Sequence, residues 1–217
     1  MKVHLHKEID HLKKDILILG SMVEGALRHA LEAIVDRDAE KAEKVINNDT
    51  YIDRKEIEIE EECLKILALH QPVAADLRYV TACLKVNNEL ERIGDLGANI
   101  AQRAIDTANS PETDMRVDFK PMMDVAGEML RQALNSLICM DSGKAMEVIA
   151  EDDVVDEYNR KMFAELQKAI HRKPKCTEYF VNLMSVSRHL ERIADCATNI
   201  SEDVVYMIEG KIIRHQK

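Results

Sequence analysis

Tryptophan is absent from the 217 residues, and glycine (7), proline (4), tyrosine (5) and phenylalanine (3) are few. A chain so poor in turn residues and aromatics cannot supply the hairpins and cross-strand pairs of an all-β fold. Long apolar runs are missing as well, none reaching the roughly 18–20 residues of a membrane span. Basic excess is missing: 30 Lys and Arg stand against 40 Asp and Glu, a net charge of −10. That balance excludes a nucleic-acid partner, which requires basic patches. Cys63, Cys83, Cys139, Cys176 and Cys196 are odd in number and form no C-x-x-C pair. They read as reduced core thiols of a cytosolic protein. Met1-Lys2-Val3-His4 does not open a signal peptide. No Gly-rich phosphate loop, nucleophile motif or dinucleotide fingerprint occurs.

What remains is 46% hydrophobic, enough for a sizeable core, and rich in Ala, Leu, Ile, Glu and Lys, which favour helices. Ile9, Leu12, Ile16, Leu19, Val23, Ala26 and Ala30 keep helical spacing and predict a first helix over about 5–35. A second follows over about 39–69. Gln71-Pro72 interrupts, with proline read in the first helical turn, and a third helix runs over about 73–107. Asn109-Ser110-Pro111 breaks the chain and 113–118 lacks periodicity, which marks a linker. Three more helices are expected over about 119–140, 142–171 and 175–209, broken at Lys173-Pro174 and stopped by Gly210.

The halves repeat. Asp38, Lys41, Ala42, Val45, Ile46, Asp49 and Asp53 recur 103 residues later as Asp141, Lys144, Ala145, Val148, Ile149, Asp152 and Asp156. Leu90-Glu91-Arg92-Ile93, Asp95, Asn99 and Ile100 recur 100 residues later as Leu190-Glu191-Arg192-Ile193, Asp195, Asn199 and Ile200. Long helices with short connections pack as bundles. The expected fold is therefore all-α, two tandem three-helix bundles made by duplication, over 1–108 and 114–217.

Carboxylates stand where the seams of these helices should be apolar. Val45, Ile52, Ile59 and Ile66 form a seven-residue repeat whose companions are Ala42, Asp49, Glu56 and Cys63. Glu91 interrupts the stripe Leu77, Val80, Leu84, Asn87, Gly94, Ala98, Ala101 and Ile105, and Glu191 interrupts its copy. Each has an Asp four places on, giving Asp49/Asp53, Glu91/Asp95, Asp152/Asp156 and Glu191/Asp195. Like charges so spaced repel by a few tenths of a kcal/mol, and burial makes this worse unless a cation compensates. Carboxylate-only sets suit Mg, Ca, Mn or Fe. A solvated acidic face, partly neutralised by Arg92 and Arg192, is the plainer alternative, and duplication together with seam placement favours metal. Asn99 and Asn199 are candidate further ligands or simple surface hydrogen-bonders. Glu56 and Glu60 lack counterparts and read as peripheral. His4, His6 and His11 read as a solvated helix end, and Met122, Met123, Met129, Met140 and Met146 as core or interface filler.

The paired acidic motifs, the two Leu-Glu-Arg-Ile-x-Asp segments and Gln71-Pro72-Val73-Ala74-Ala75-Asp76-Leu77-Arg78 together resemble the PhoU family over nearly the whole chain. The second half departs from it at Lys173-Pro174 and Thr177-Glu178-Tyr179. The resemblance implies two three-helix bundles, and iron, zinc or similar metals at the acidic motifs. It also implies restraint of phosphate import through the ATPase subunit of the phosphate ABC transporter, and of a phosphate-sensing histidine kinase. It points to contact rather than turnover, in the cytoplasm, with a second copy of the chain as a homodimer partner and no membrane insertion. Two rivals are a metal-free helical adaptor and a carboxylate-bridged di-iron enzyme. The latter needs two Glu-x-x-His motifs, and only Glu8-Ile9-Asp10-His11 fits.

Overall fold

The structure, a computed structural model, describes residues 2–110 and 117–213. Six long α-helices account for almost all of them: α1 Lys2–Asp36, α2 Ala39–His70, α3 Ala74–Ala108, α4 Lys120–Cys139, α5 Ser142–Arg172 and α6 Thr177–Glu209. There is no strand among the described residues. None of these helices is long and apolar enough to cross a membrane. Of the expected linker, residues 111–116 lie outside the described residues.

The first turn of each half is built alike. Arg37 (φ 53) and Met140 (φ 55) take the left-handed conformation that ends α1 and α4. Asp38 and Asp141 follow as N-caps, their carboxylates accepting from Lys41 N at 2.9 Å and Lys144 N at 3.1 Å. A short side chain that satisfies one orphan N–H of a first turn is why Asp stands at both places. The second turns differ. After α2, Gln71 (φ 44) and Ala74 (φ 51) are both left-handed, and Pro72 falls before the N-cap Val73 rather than inside the first turn. After α5 the chain instead makes a 3-10 turn over Pro174–Cys176, so α6 begins two residues later than expected. Gly210 (φ 70) closes α6 as a left-handed cap.

Within each half the three helices pack on one another, α1 with α2 and α3, and α4 with α5 and α6. Leu12, Ile16, Leu19 and Val23 of α1 are fully enclosed, and Val45, Ile52, Ile59 and Ile66 of α2 bury as the heptad requires. Each such side chain contributes about 1.5–3 kcal/mol when removed from water. The bundles meet chiefly where α3 packs antiparallel on α6. Arg78 Nε donates to Met207 O at 2.8 Å, Lys85 Nζ pairs with Asp203 at 3.0 Å, and Asn199 Nδ2 donates to Glu89 at 3.3 Å. Arg103 donates to Asn182 Oδ1 at 3.2 Å farther along. α3 and α6 therefore bury two faces each, one in their own bundle and one against the other bundle. A single apolar stripe does not describe them, and Leu77, read as the start of the α3 stripe, is 42% exposed. Four cysteines are buried as expected, while Cys139 is exposed. Met122 and Met129 lie in the core, whereas Met140 and Met146 are exposed.

Candidate metal centres on paired helices

In the first bundle, α2 and α3 cross at Gly94. A Cβ there would stand 3.0 Å from Ile52 Cγ2 and 3.4 Å from Asp49 Oδ1, so the absent side chain leaves the Asp49 carboxylate against the α3 backbone. Asp49 and Glu91 are half-buried, and Asp53 and Asp95 are exposed at the rim. The cluster thus sits at the mouth of the helix pair and is less deeply enclosed than the seam pattern suggests. Burial first, then Asp53 and Asp95, push Asp49 up to about 6. Glu91 is raised by burial and then by Asp95, Glu56, Asp53 and Asp49. The carboxylates of both helices therefore feel one another, and no cation enters either balance.

The second bundle repeats the arrangement with different compensation. Asp152 and Glu191 are half-buried, as is Asp156, and Asp195 is exposed. Although the residue as a whole is exposed, partial desolvation of its carboxyl raises Asp195 first, then Asp152 and Asp156, against opposing contributions from Arg92 and Arg192. Glu191 is raised by burial and Asp195, with Arg188 opposing. Thr198 Oγ1 donates to Asp152 Oδ1 at 3.4 Å. Arg92 comes from the other bundle, so the second cluster is offset by a cation that the first half lends across the α3–α6 contact.

One helical turn from each cluster lies a polar pair that the sequence did not single out. Asn87, fully buried, donates to Glu56 O at 2.9 Å and to Glu56 Oε1 at 2.8 Å. At the equivalent place Ser187 Oγ donates to Asn159 Oδ1 at 2.7 Å. Glu56 is half-buried, held by Asn87, and adds to the field on Glu91. It belongs beside the first cluster rather than at its periphery, as its lack of a counterpart had suggested. The signal was present in Asn87, a polar residue within an apolar stripe. Asn199 turns to Glu89 across the bundle interface, and Asn99 is exposed. Glu60 is exposed, as expected. His11 lies 3.7 Å from Asp15 with its side chain 67% exposed, and Glu8 pairs with His70 at 2.6 Å. The Glu-x-x-His segment is thus engaged at the end of the bundle, away from both clusters.

No three His, Cys, Asp or Glu side chains among the described residues already converge tightly enough to hold a metal ion. The donor chemistry still fits a hard or borderline cation: oxygen-only ligands, mutually repelling, at the mouth of two helices. For metal to bind, the rim carboxylates Asp53 and Asp95, and in the other half Asp195, would have to rotate inward.

Comparison with known proteins agrees over the whole length. The PhoU domain model matches residues 5–104 and 119–204, once in each bundle. The phosphate-specific transport system accessory protein PhoU homolog of Aquifex aeolicus is 37% identical over 212 residues, 98% of this chain and 96% of that protein. Its namesake from Pseudomonas aeruginosa is 32% identical over 209 residues, covering 96% and 86%. The crystal structure of PhoU from Pseudomonas aeruginosa superposes with a TM-score of 0.89 at 32% identity, covering 95% of this chain and 99% of that one. The phosphate transport system regulatory protein PhoU from Streptococcus pneumoniae superposes with a TM-score of 0.87 at 27% identity, covering 96% and 99%. With both bundles matched and the same six-helix architecture, this chain belongs to the PhoU family.

Proposed function

We propose that this protein regulates phosphate uptake and the phosphate-starvation response by contact, without turnover. Its partners are the ATPase subunit of the phosphate ABC transporter and the phosphate-sensing histidine kinase. The observation that carries the reading is the match in both bundles to relatives named as accessory and regulatory proteins of phosphate transport. The absence of a nucleophile or cofactor motif in the sequence agrees with a role exerted through helical surfaces. The place of action is the cytoplasm and the active form a homodimer. An acidic chain is repelled by an anionic membrane surface, so membrane proximity follows from its partners.

Asp49, Asp53, Glu91 and Asp95 hold metal in the first bundle, and Asp152, Asp156, Glu191 and Asp195 in the second, with Fe, Zn, Mn, Mg or Ca as the candidate ions. A bound cation supplies positive charge that ties two helices together. The protein's own contribution is to position the carboxylates, and Glu56, fixed by Asn87, adds charge to the first set. Deleting the gene should derepress starvation genes in phosphate-rich medium, and restoring the wild-type gene should silence them. A strain carrying Glu91→Ala with Glu191→Ala should fail to restore control, and the purified variant should lose metal by elemental analysis. Unchanged phosphate uptake in the deletion strain refutes the transporter reading. A folded double variant that represses normally refutes a regulatory role for the metal.

A further inference from the structure

The duplication compares two copies of the same helix, and their outward faces have diverged. On α2, Ile57 and Leu64 lie seven residues apart with Ala68 four further on, one stripe at helical spacing. All three point to solvent, Ile57 51% exposed and Leu64 52%. On α5 the equivalent positions, 103 residues later, hold Arg160, Gln167 and His171, also exposed. The fold therefore does not require apolar side chains here, since the copy keeps the same helix without them. The flanks have diverged in charge, one position reversing sign and two losing it. Glu58, Glu60 and Glu61 on α2 stand where Lys161, Phe163 and Ala164 stand on α5. Lys55 is engaged by Asp15 and Glu58 and Lys65 by Glu62. Glu60 and Glu61 are left without a cation among the described residues. On α5, Arg160 and Lys161 are both paired with Glu157, at 3.1 and 3.3 Å.

We infer that the outward face of α2 docks an amphipathic basic helix of a partner protein. Ile57, Leu64 and Ala68 would receive its apolar side and Glu60 and Glu61 its flanking Lys or Arg. The stripe offers two large apolar side chains one heptad apart, the spacing at which a partner helix lays its own i and i+7 residues. The unpaired carboxylates beside it set the sign of the partner's charge. A second copy of this chain fits worse. The equivalent face of α5 presents Gln167 and cations already paired with Glu157 rather than an apolar stripe. The inference rests on the reading that the protein acts by contact, and names the kind of segment contacted.

The test uses the full chain and a synthetic twenty-residue helix with Leu at heptad spacing and Lys or Arg flanks. Its control is a scrambled peptide of the same composition. Fluorescence anisotropy at physiological salt should show the amphipathic peptide binding at least ten-fold more tightly than the scrambled one. Ile57→Arg with Leu64→Gln, the residues the second half already tolerates, should erase that preference while the thermal unfolding temperature stays within a few degrees. Glu60→Gln with Glu61→Gln should weaken binding and flatten its salt dependence. Equal binding of the scrambled peptide, or variants that bind as the wild type does, overturns the assignment of α2. Failure of the contact reading is read separately, in the deletion strain.

Discussion

Asp49 is the most sharply perturbed carboxylate of the candidate centres, and its substitution tests whether the cluster is an unsatisfied site. In the folded chain burial and the neighbouring Asp53 and Asp95 raise it from 3.8 to about 6. The folded state therefore holds this proton more tightly than the unfolded state does. Its cost to stability is absent below about pH 3.8, grows as pH rises, and is complete above about 6. A shift of this size corresponds to about 3 kcal/mol in full, and access of solvent to the half-open site reduces it to about 1 kcal/mol. Asp49→Asn should thus stabilise the metal-free protein by about 1 kcal/mol at pH 7.5. For a chain of this size that raises the unfolding temperature by about 2–4 °C. The gain should vanish near pH 4, where the wild-type carboxyl is already protonated. Calorimetry in a chelating buffer at both pH values reads the difference directly. Adding millimolar Mn²⁺ should reverse the order, raising the wild type more than the variant, because only the wild type keeps the full ligand set. If Asp49→Asn lowers the unfolding temperature at pH 7.5 in chelator, or gains equally at both pH values, the cluster is not under electrostatic strain and the reasoning fails.

Three further substitutions probe the frame that carries the sites. Asp38→Ala and Asp141→Ala each remove an N-cap with the same geometry, and each should cost about 1 kcal/mol in chemical unfolding. A cost several-fold larger at one position would mean that the duplicated turns are not equivalent. Arg78, within the segment by which the sequence resembles its family, holds the end of α6 through Met207 O. Arg78→Ala should cost about 1.5–3 kcal/mol, and hydrogen exchange should rise in the last turns of α6 before it rises in α2.

The helices and their order were legible because each carries an apolar period that a few seam carboxylates interrupt without ending, and each break is marked by Pro, Gly or an Asp cap. That Asp49 and Glu91 stand out from their stripes was legible because duplication printed the same anomaly twice, and both are half-buried. Three features were not. The second buried face of α3 and α6 leaves no single stripe, since its contacts include Lys85–Asp203, Glu89–Asn199 and Arg103–Asn182, polar residues outside the apolar period. The part played by Glu56 was hidden because it depends on Asn87, thirty-one residues away. The rim placement of Asp53, Asp95 and Asp195 was hidden because a heptad gives the direction of a side chain but not how far the neighbouring helix covers it.

The antiparallel α3–α6 contact sets a helix against its own internal copy. Two identical single bundles would meet by applying this helix to its own copy, so that every contact occurs twice about a two-fold axis. In one polypeptide the two sides are free to differ. The place that holds Glu89 in one half, bonded to Asn199, holds His189 in the other. There burial, Arg192 and Arg103 lower the affinity of the imidazole for a proton. Strict two-fold symmetry would require the same residue at both places. Because both sides lie in one polypeptide, each side of this pseudo-symmetric surface can change without its twin changing, as Glu89 and His189 show.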